Sequence, residues 1–217
     1  MTLPREVRAV LPADTARSWE TIADVLPPPL YLLGGTALAV HVQHRVSRDL
    51  DFFFHTAVDL GALEAQLLER GPFAVTHRAP GTLNGLFSQT KVQFLDASSQ
   101  KRLEKPTPMA GIPVAGVGDI LATKVKAIGD RGELRDYFDL QTIEQKVGRT
   151  VEEGIALFME RYGVKPEDPV INHIVMGLGY LDDVDEDDSL PVSKAEIARY
   201  WKRRQREVVA HLARFPL

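Results

Sequence analysis

The run Leu30–Leu33 is short and wholly apolar, and Asp49–Phe54 alternates in part and ends in aromatics; both patterns predict strands. Between them, Gly34-Gly35-Thr36 introduces Ala37–His41, which reads as a helix. Strand, glycine turn and helix in succession recur at phosphate sites, because glycine lets backbone donors approach an anion at a helix start. Upstream, a first helix is expected over roughly Asp14–Leu26, capped by Asp14 or Thr15. Pro27-Pro28-Pro29 stops it, since proline lacks the donor and clashes with the preceding turn. Downstream, a helix over Leu60–Glu69 is capped by Asp59 and ended by Gly71-Pro72. Three strands follow, Phe73–Arg78, Thr82–Ser88 and Lys91–Leu95.

The segment Ser98–Gly111 is polar and proline-bearing and reads as a loop, with one more short strand at Ile112–Ala115. Beyond Gly118 the pattern turns helical: Asp119–Ile128, Leu134–Lys146, Val151–Tyr162, Asp168–Leu178 and Ser193–Arg214. Asp119 and Ser193 suit N-caps, and Gly148 and Gly163 suit C-terminal stops. The expected fold is α+β: an αβ lobe with a mixed sheet over residues 1–115, then a helical lobe over 116–217.

Composition changes this picture little. An apolar share of 44% and a charged share of 26% suit an ordinary globular chain. No apolar run is long enough to cross a bilayer, and Met1–Val10 lacks the pattern of a secretion signal. Cysteine is absent, which removes disulfides and thiolate zinc sites and fits a cytoplasmic location. The net charge of −4 means that any nucleic-acid contact must come from a local basic patch.

The central chemistry lies in Arg45-Val46-Ser47-Arg48-Asp49-Leu50-Asp51. On a strand, residues two apart share a face, so Asp49 and Asp51 project side by side. Two close carboxylates repel unless a cation neutralises them. A hard divalent ion, Mg2+ or also Mn2+, suits them, because it takes oxygen ligands and keeps water and substrate phosphates in its shell. The competing reading is the solvated face of an edge strand; the glycine turn before the pair and Phe52-Phe53-Phe54 after it weigh against that.

Gly34-Gly35-Thr36-Ala37-Leu38-Ala39, followed by Arg45, Ser47 and Asp49-Leu50-Asp51-Phe52-Phe53, resembles the first motif of the AbiEii/AbiGii toxin-type nucleotidyltransferases, a branch of the polymerase-β superfamily. Lys124 on one helix and Arg135-Asp136-Tyr137-Phe138-Asp139-Leu140 on the next are similar to the second signature of that family. The resemblance implies a polymerase-β-type nucleotidyltransferase lobe before a helical lobe. It implies an enzyme that moves a nucleoside monophosphate from a nucleoside triphosphate to an acceptor. Asp49 and Asp51 would hold the metal, Gly34, Gly35, Thr36, Ser47 and Arg131 the nucleotide, Lys124 a phosphate, and Asp136 would be a further functional acid. It also implies the toxin of a toxin–antitoxin pair, an RNA acceptor such as tRNA, and a cognate antitoxin of DNA-binding type.

Alternatives stay open at this level. Asp139 could pair with Arg135 on its own helix, and Lys126 could be solvated. The position matching a third acid on the strand Lys91–Asp96 holds Gln93, with Asp96 near the strand end. The acceptor could be a small molecule or a protein, or the chain could bind nucleotide or a partner without turnover. The acid run 182–188 reads as a solvated loop. Lys202, Arg203, Arg204 and Arg206, beside Tyr200 and Trp201, could hold RNA, or pair with that acid run while the aromatics pack inward. His41, His44, His55, His77, His173 and His211 show no metal-ligand spacing.

Overall fold

The computed structural model describes residues 2–130 and 132–214. Two compact units divide the chain, Met1–Val117 and Gly118–Leu217. The first is built from α1 (Arg5–Arg8), α2 (Ala13–Ile22), β1 (Tyr31–Leu33), α3 (Gly34–Val42), β2 (Leu50–Phe54), α4 (Leu60–Arg70), β3 (Phe73–Ala79), β4 (Thr82–Phe87), β5 (Thr90–Asp96), β6 (Thr107–Met109) and β7 (Ile112–Val114). Among the described residues these strands form one sheet in the order β3-β4-β5-β2-β1-β7-β6. It is mixed: β2 runs parallel to β5 and β1 to β7, and the other neighbours are antiparallel.

One face of the sheet is the core. Leu50, Phe52 and Phe54 of β2 alternate inward with Leu83, Phe87, Val92 and Phe94, and the rings of register partners Phe52 and Phe94 stack at 5.4 Å. Burying each such side chain contributes about 1.5–3 kcal/mol relative to exposure. Trp19 and Ile22 of α2 and Leu63 and Leu67 of α4 are buried as well, and these helices pack on β3–β5. The opposite face stays open: Asp51, Phe53, Thr82, Asn84, Gln93 and Leu95 are half-buried, and Leu86 and Lys91 are exposed. The acidic residue of β2 therefore sits on the solvent-accessible side.

Differences from expectation have local causes. The helix α2 starts at Ala13 after Pro12 with no side-chain cap. Asp14 instead pairs with Arg17, and the Thr15 hydroxyl donates to the Arg48 carbonyl at 3.0 Å. Asp59 does cap α4, accepting from Gly61 and Ala62 amides. The proline-bearing loop contains β6, an edge strand paired with β7, with Pro108 opposite Pro113. An edge strand tolerates proline because one side of it needs no donor.

The second unit comprises α5 (Val117–Asp130), α6 (Leu134–Thr142) running on as a π-helical segment (Ile143–Val147), α7 (Val151–Tyr162), α8 (Pro169–Gly179) and α9 (Lys194–Arg214). Gly148 and Gly163 end their helices with φ of 79° and 65°. Ser193 and Glu196 cap α9 reciprocally, each side chain accepting from the other's amide. Asp119 is not a cap. The helix begins two residues earlier, so Asp119 falls inside the first turn, fully buried, and accepts from Arg161 of α7. The acid run is irregular.

On α9, Trp201 is buried and its indole N–H donates to the Tyr137 carbonyl at 3.0 Å. Arg204 turns inward as well, but its partners are Glu144 and Glu152, in place of the acid run. Burial opposes the charge on Glu144, yet hydrogen bonds from Arg204, Tyr200 and the Val151 amide outweigh it and hold the carboxyl below its usual range. A depressed carboxyl pKa contributes stability above the unfolded value and loses it as pH falls through the folded one. Glu144→Gln should therefore lower the melting temperature at neutral pH and flatten its fall below about pH 4.3, as read by melts from neutral to acid pH. Among the described residues, no helix is long and apolar enough to cross a membrane.

Candidate active site

At the end of β1 the backbone passes directly from Leu33 into α3 through Gly34, whose φ is +81°. Leu33 lies opposite Asp51 in the antiparallel register. A Cβ on Gly34 would stand 2.8 Å from Asp51 Oδ2, so the carboxylate lies directly against the start of α3. A Cβ on Gly35 would stand 2.5 Å from an Arg45 guanidinium nitrogen and 3.4 Å from Ser47 Oγ. The two glycines thus make room for an acid on one side and a base on the other. Gly34→Ala should cost about 1–2 kcal/mol from the left-handed backbone alone and push the Asp51 carboxylate aside. An unchanged melting temperature would contradict this.

The segment leading into β2 is pinned at several points. The Thr36 hydroxyl donates to the Asp49 carbonyl, and Thr36 Oγ1 lies 2.8 Å from Ser47 Oγ, both side chains being buried. The Ser47 amide donates to the Val10 carbonyl at 2.9 Å. Asp49 is half-buried just ahead of β2, which begins at Leu50, and it stands two residues before Asp51. Gly34, Gly35, Thr36, Ser47, Asp49 and Asp51 are thereby gathered around one helix start. Arg45 joins them; its guanidinium over Gly35 was not foreseen from sequence, and the close glycine was the available signal.

Across the sheet, Gln93 is the register partner of Asp51, and Asn84 that of Gln93. Asp96 lies opposite Phe54, and its Oδ1 accepts from the Ser98 amide at 2.7 Å, so it opens a turn. The neighbour of Asp51 in this row is a neutral amide. Among the described residues, no group of three or more His, Asp or Glu side chains is placed to hold a metal. The donor set fits a hard divalent ion that takes two protein carboxylates and completes its shell with water and phosphate oxygens.

In the second unit, Lys124 Nζ lies 2.7 Å from Asp136 Oδ1 and 2.7 Å from Asp139 Oδ2. The three side chains are 8%, 1% and 0% exposed, so this is a core ion cluster joining α5 and α6. Asp139 does not pair with Arg135, which reaches Glu133 instead. Lys126 pairs with Asp130 at the surface. Arg131 lies outside the described residues.

A family model described as "Nucleotidyl transferase AbiEii toxin, Type IV TA system" matches residues 20–81 and 87–215. The chain belongs to this AbiEii family. An uncharacterized protein of Aquifex aeolicus is 29% identical over 183 residues, covering 82% of this chain and 86% of that one. Among solved structures, JHP933 from Helicobacter pylori aligns at a TM-score of 0.56 with 16% identity, covering 98% of this chain and 95% of that one. MenT4, a nucleotidyltransferase toxin from Mycobacterium tuberculosis, aligns at 0.55 with 17% identity, covering 96% and 84%. These likenesses establish the fold. AbiEii membership supports a nucleotidyltransferase toxin function and implies a nucleotide substrate and a cognate antitoxin.

Proposed function

We propose that the chain transfers a nucleoside monophosphate from a nucleoside triphosphate to an RNA acceptor such as tRNA, with Mg2+ or Mn2+ held by Asp49 and Asp51. The observation that carries this is the Asp51 carboxylate seated against Gly34 at the start of α3. Acid and helix terminus then address one ligand: the amides of Gly35 and Thr36 suit phosphate oxygens, and the carboxylates suit the cation that accompanies them. When bound there, the ion would withdraw charge from the phosphates during in-line transfer. Thr36 and Ser47 fix the approach of Asp49 through their buried hydroxyls.

Lys124 and Asp136 enter the proposal with a restriction. The Lys124 ammonium is already shared by Asp136 and Asp139, so a phosphate would have to compete for it. Arg131 remains a proposed nucleotide contact from the family resemblance, and an antitoxin of DNA-binding type remains a proposed partner.

The test is incubation with each α-labelled triphosphate, magnesium and total RNA. A labelled RNA band absent from Asp49→Ala protein is the expected result. Label in protein or small molecules, with none in RNA, would replace the acceptor. The neutral Gln93 beside Asp51 favours one second reading, nucleotide binding without turnover. Triphosphate binding with magnesium and no labelled product would establish it.

A further inference from the structure

Helix α9 carries Arg199, Lys202, Arg203 and Arg206 at i, i+3, i+4 and i+7, all exposed. This spacing puts four cations on one face. The opposite face is committed to the core through Ile197, Trp201 and Val208, and Arg204 leaves the stripe to bind Glu144 and Glu152. The acids of α9 are also committed. Glu196 accepts from Ser193 in the cap, and Glu207 accepts from Arg204 at 2.9 Å. Among the described residues, no salt bridge engages the four outward cations; Arg199 feels Glu196 only as a weak neighbour, and Arg203 stands 5.5 Å from the Tyr200 ring.

Like charges at these spacings oppose a helix unless something else neutralises them. The chain as a whole carries −4, so the stripe runs against the average field. Between Arg199 and Arg206 the outward surface offers no exposed large apolar residue. Protein interfaces enrich arginine too but centre on apolar and aromatic anchors, which this stretch does not expose, whereas phosphate contacts need only charge and reach.

We propose that the outer face of α9 binds the phosphate backbone of RNA, an inference that rests on the RNA acceptor named above. Arg199, Lys202 and Arg206 are the phosphate contacts. Arg203 is a guanidinium preset on the Tyr200 ring, available for stacking by an unpaired base.

The experiment measures fluorescence anisotropy of labelled, deacylated bulk tRNA with the full chain across salt. The variant is Arg199→Gln/Lys202→Gln/Arg206→Gln. Each lost contact should reduce the slope of log K against log salt by about 0.7–0.9, so the variant should be shallower by roughly 2–3 and bind at least about tenfold more weakly. Its melting temperature should stay level or rise, because like charges on one helix face are removed, and its triphosphate binding should match the parent, because the three exposed side chains are not among the proposed nucleotide contacts. Equal slope and affinity would overturn the proposal. So would poly-glutamate displacing the tRNA at a lower charge concentration than unlabelled RNA, which would assign the stripe to an acidic protein. The arms are separable: Asp51→Asn protein should keep parental tRNA binding. A chain that binds tRNA through the stripe yet transfers nothing would overturn the transfer reading alone.

Discussion

Asp51→Asn is expected to reduce nucleotidyl transfer by at least about a thousandfold, on the order of 4 kcal/mol of transition-state stabilisation, while leaving the fold intact. The substitution is nearly isosteric, so the contact with Gly34 survives and only the charge is lost. A cation held by two protein carboxylates depends heavily on each, and among the described residues no third acid joins them. The Gln93 amide beside Asp51 cannot replace the charge. The melting temperature should stay level or rise, because one of two neighbouring carboxylates is neutralised. Steady-state transfer and thermal melts on the same preparation check both halves. Retention of more than about a tenth of the activity would remove Asp51 from the mechanism.

Much of the first unit was legible because its signals are local. The partial alternation of Asp49–Phe54, the glycine pair before Thr36 and the Asp59 cap all fix backbone within a few residues, and the structure has β2, the start of α3 and the start of α4 there. The strand β6 was hidden because proline normally argues against a strand, and only its place at the sheet edge makes Pro108 harmless. The caps of α2 and α5 were misread for a related reason. Asp14, Thr15 and Asp119 have capping chemistry, but Asp14 pairs with Arg17 one turn along its own helix, and the tertiary partners Arg48 and Arg161 take the side chains of Thr15 and Asp119.

The site was legible in its residue types and less so in their partners. Sequence spacing joins Asp49 to Asp51, but the register that places Gln93 next to Asp51 is a long-range pairing between parallel strands. Gly35 reads in sequence as a place for a phosphate; the structure adds that a Cβ there would meet the Arg45 guanidinium, a neighbour that sequence spacing does not announce. On α9, periodicity separates an inner face from an outer one, but it could not show that Arg204 alone turns inward, because Glu144 comes from a π-helical segment 60 residues away.

Lys124→Met should destabilise the protein by about 3–5 kcal/mol, the largest stability effect expected of these substitutions. The lysine ammonium is the cation between two carboxylates that are 1% and 0% exposed. Removing it takes the ammonium away from two buried carboxylates, and its attraction no longer offsets their desolvation. Methionine fills nearly the same volume, so the loss would report charge and not a cavity. A surface lysine used only to touch a phosphate would change stability by no more than about 0.5 kcal/mol when replaced. Urea unfolding of Lys124→Met therefore separates a core ion cluster from an exposed substrate contact. Adding Asp136→Asn and Asp139→Asn to Lys124→Met should recover a large part of the loss, since the two carboxylates that shared the ammonium are then neutral. A loss below about 1 kcal/mol, or no recovery in the triple variant, would mean that the cluster does not hold α5 to α6 in solution.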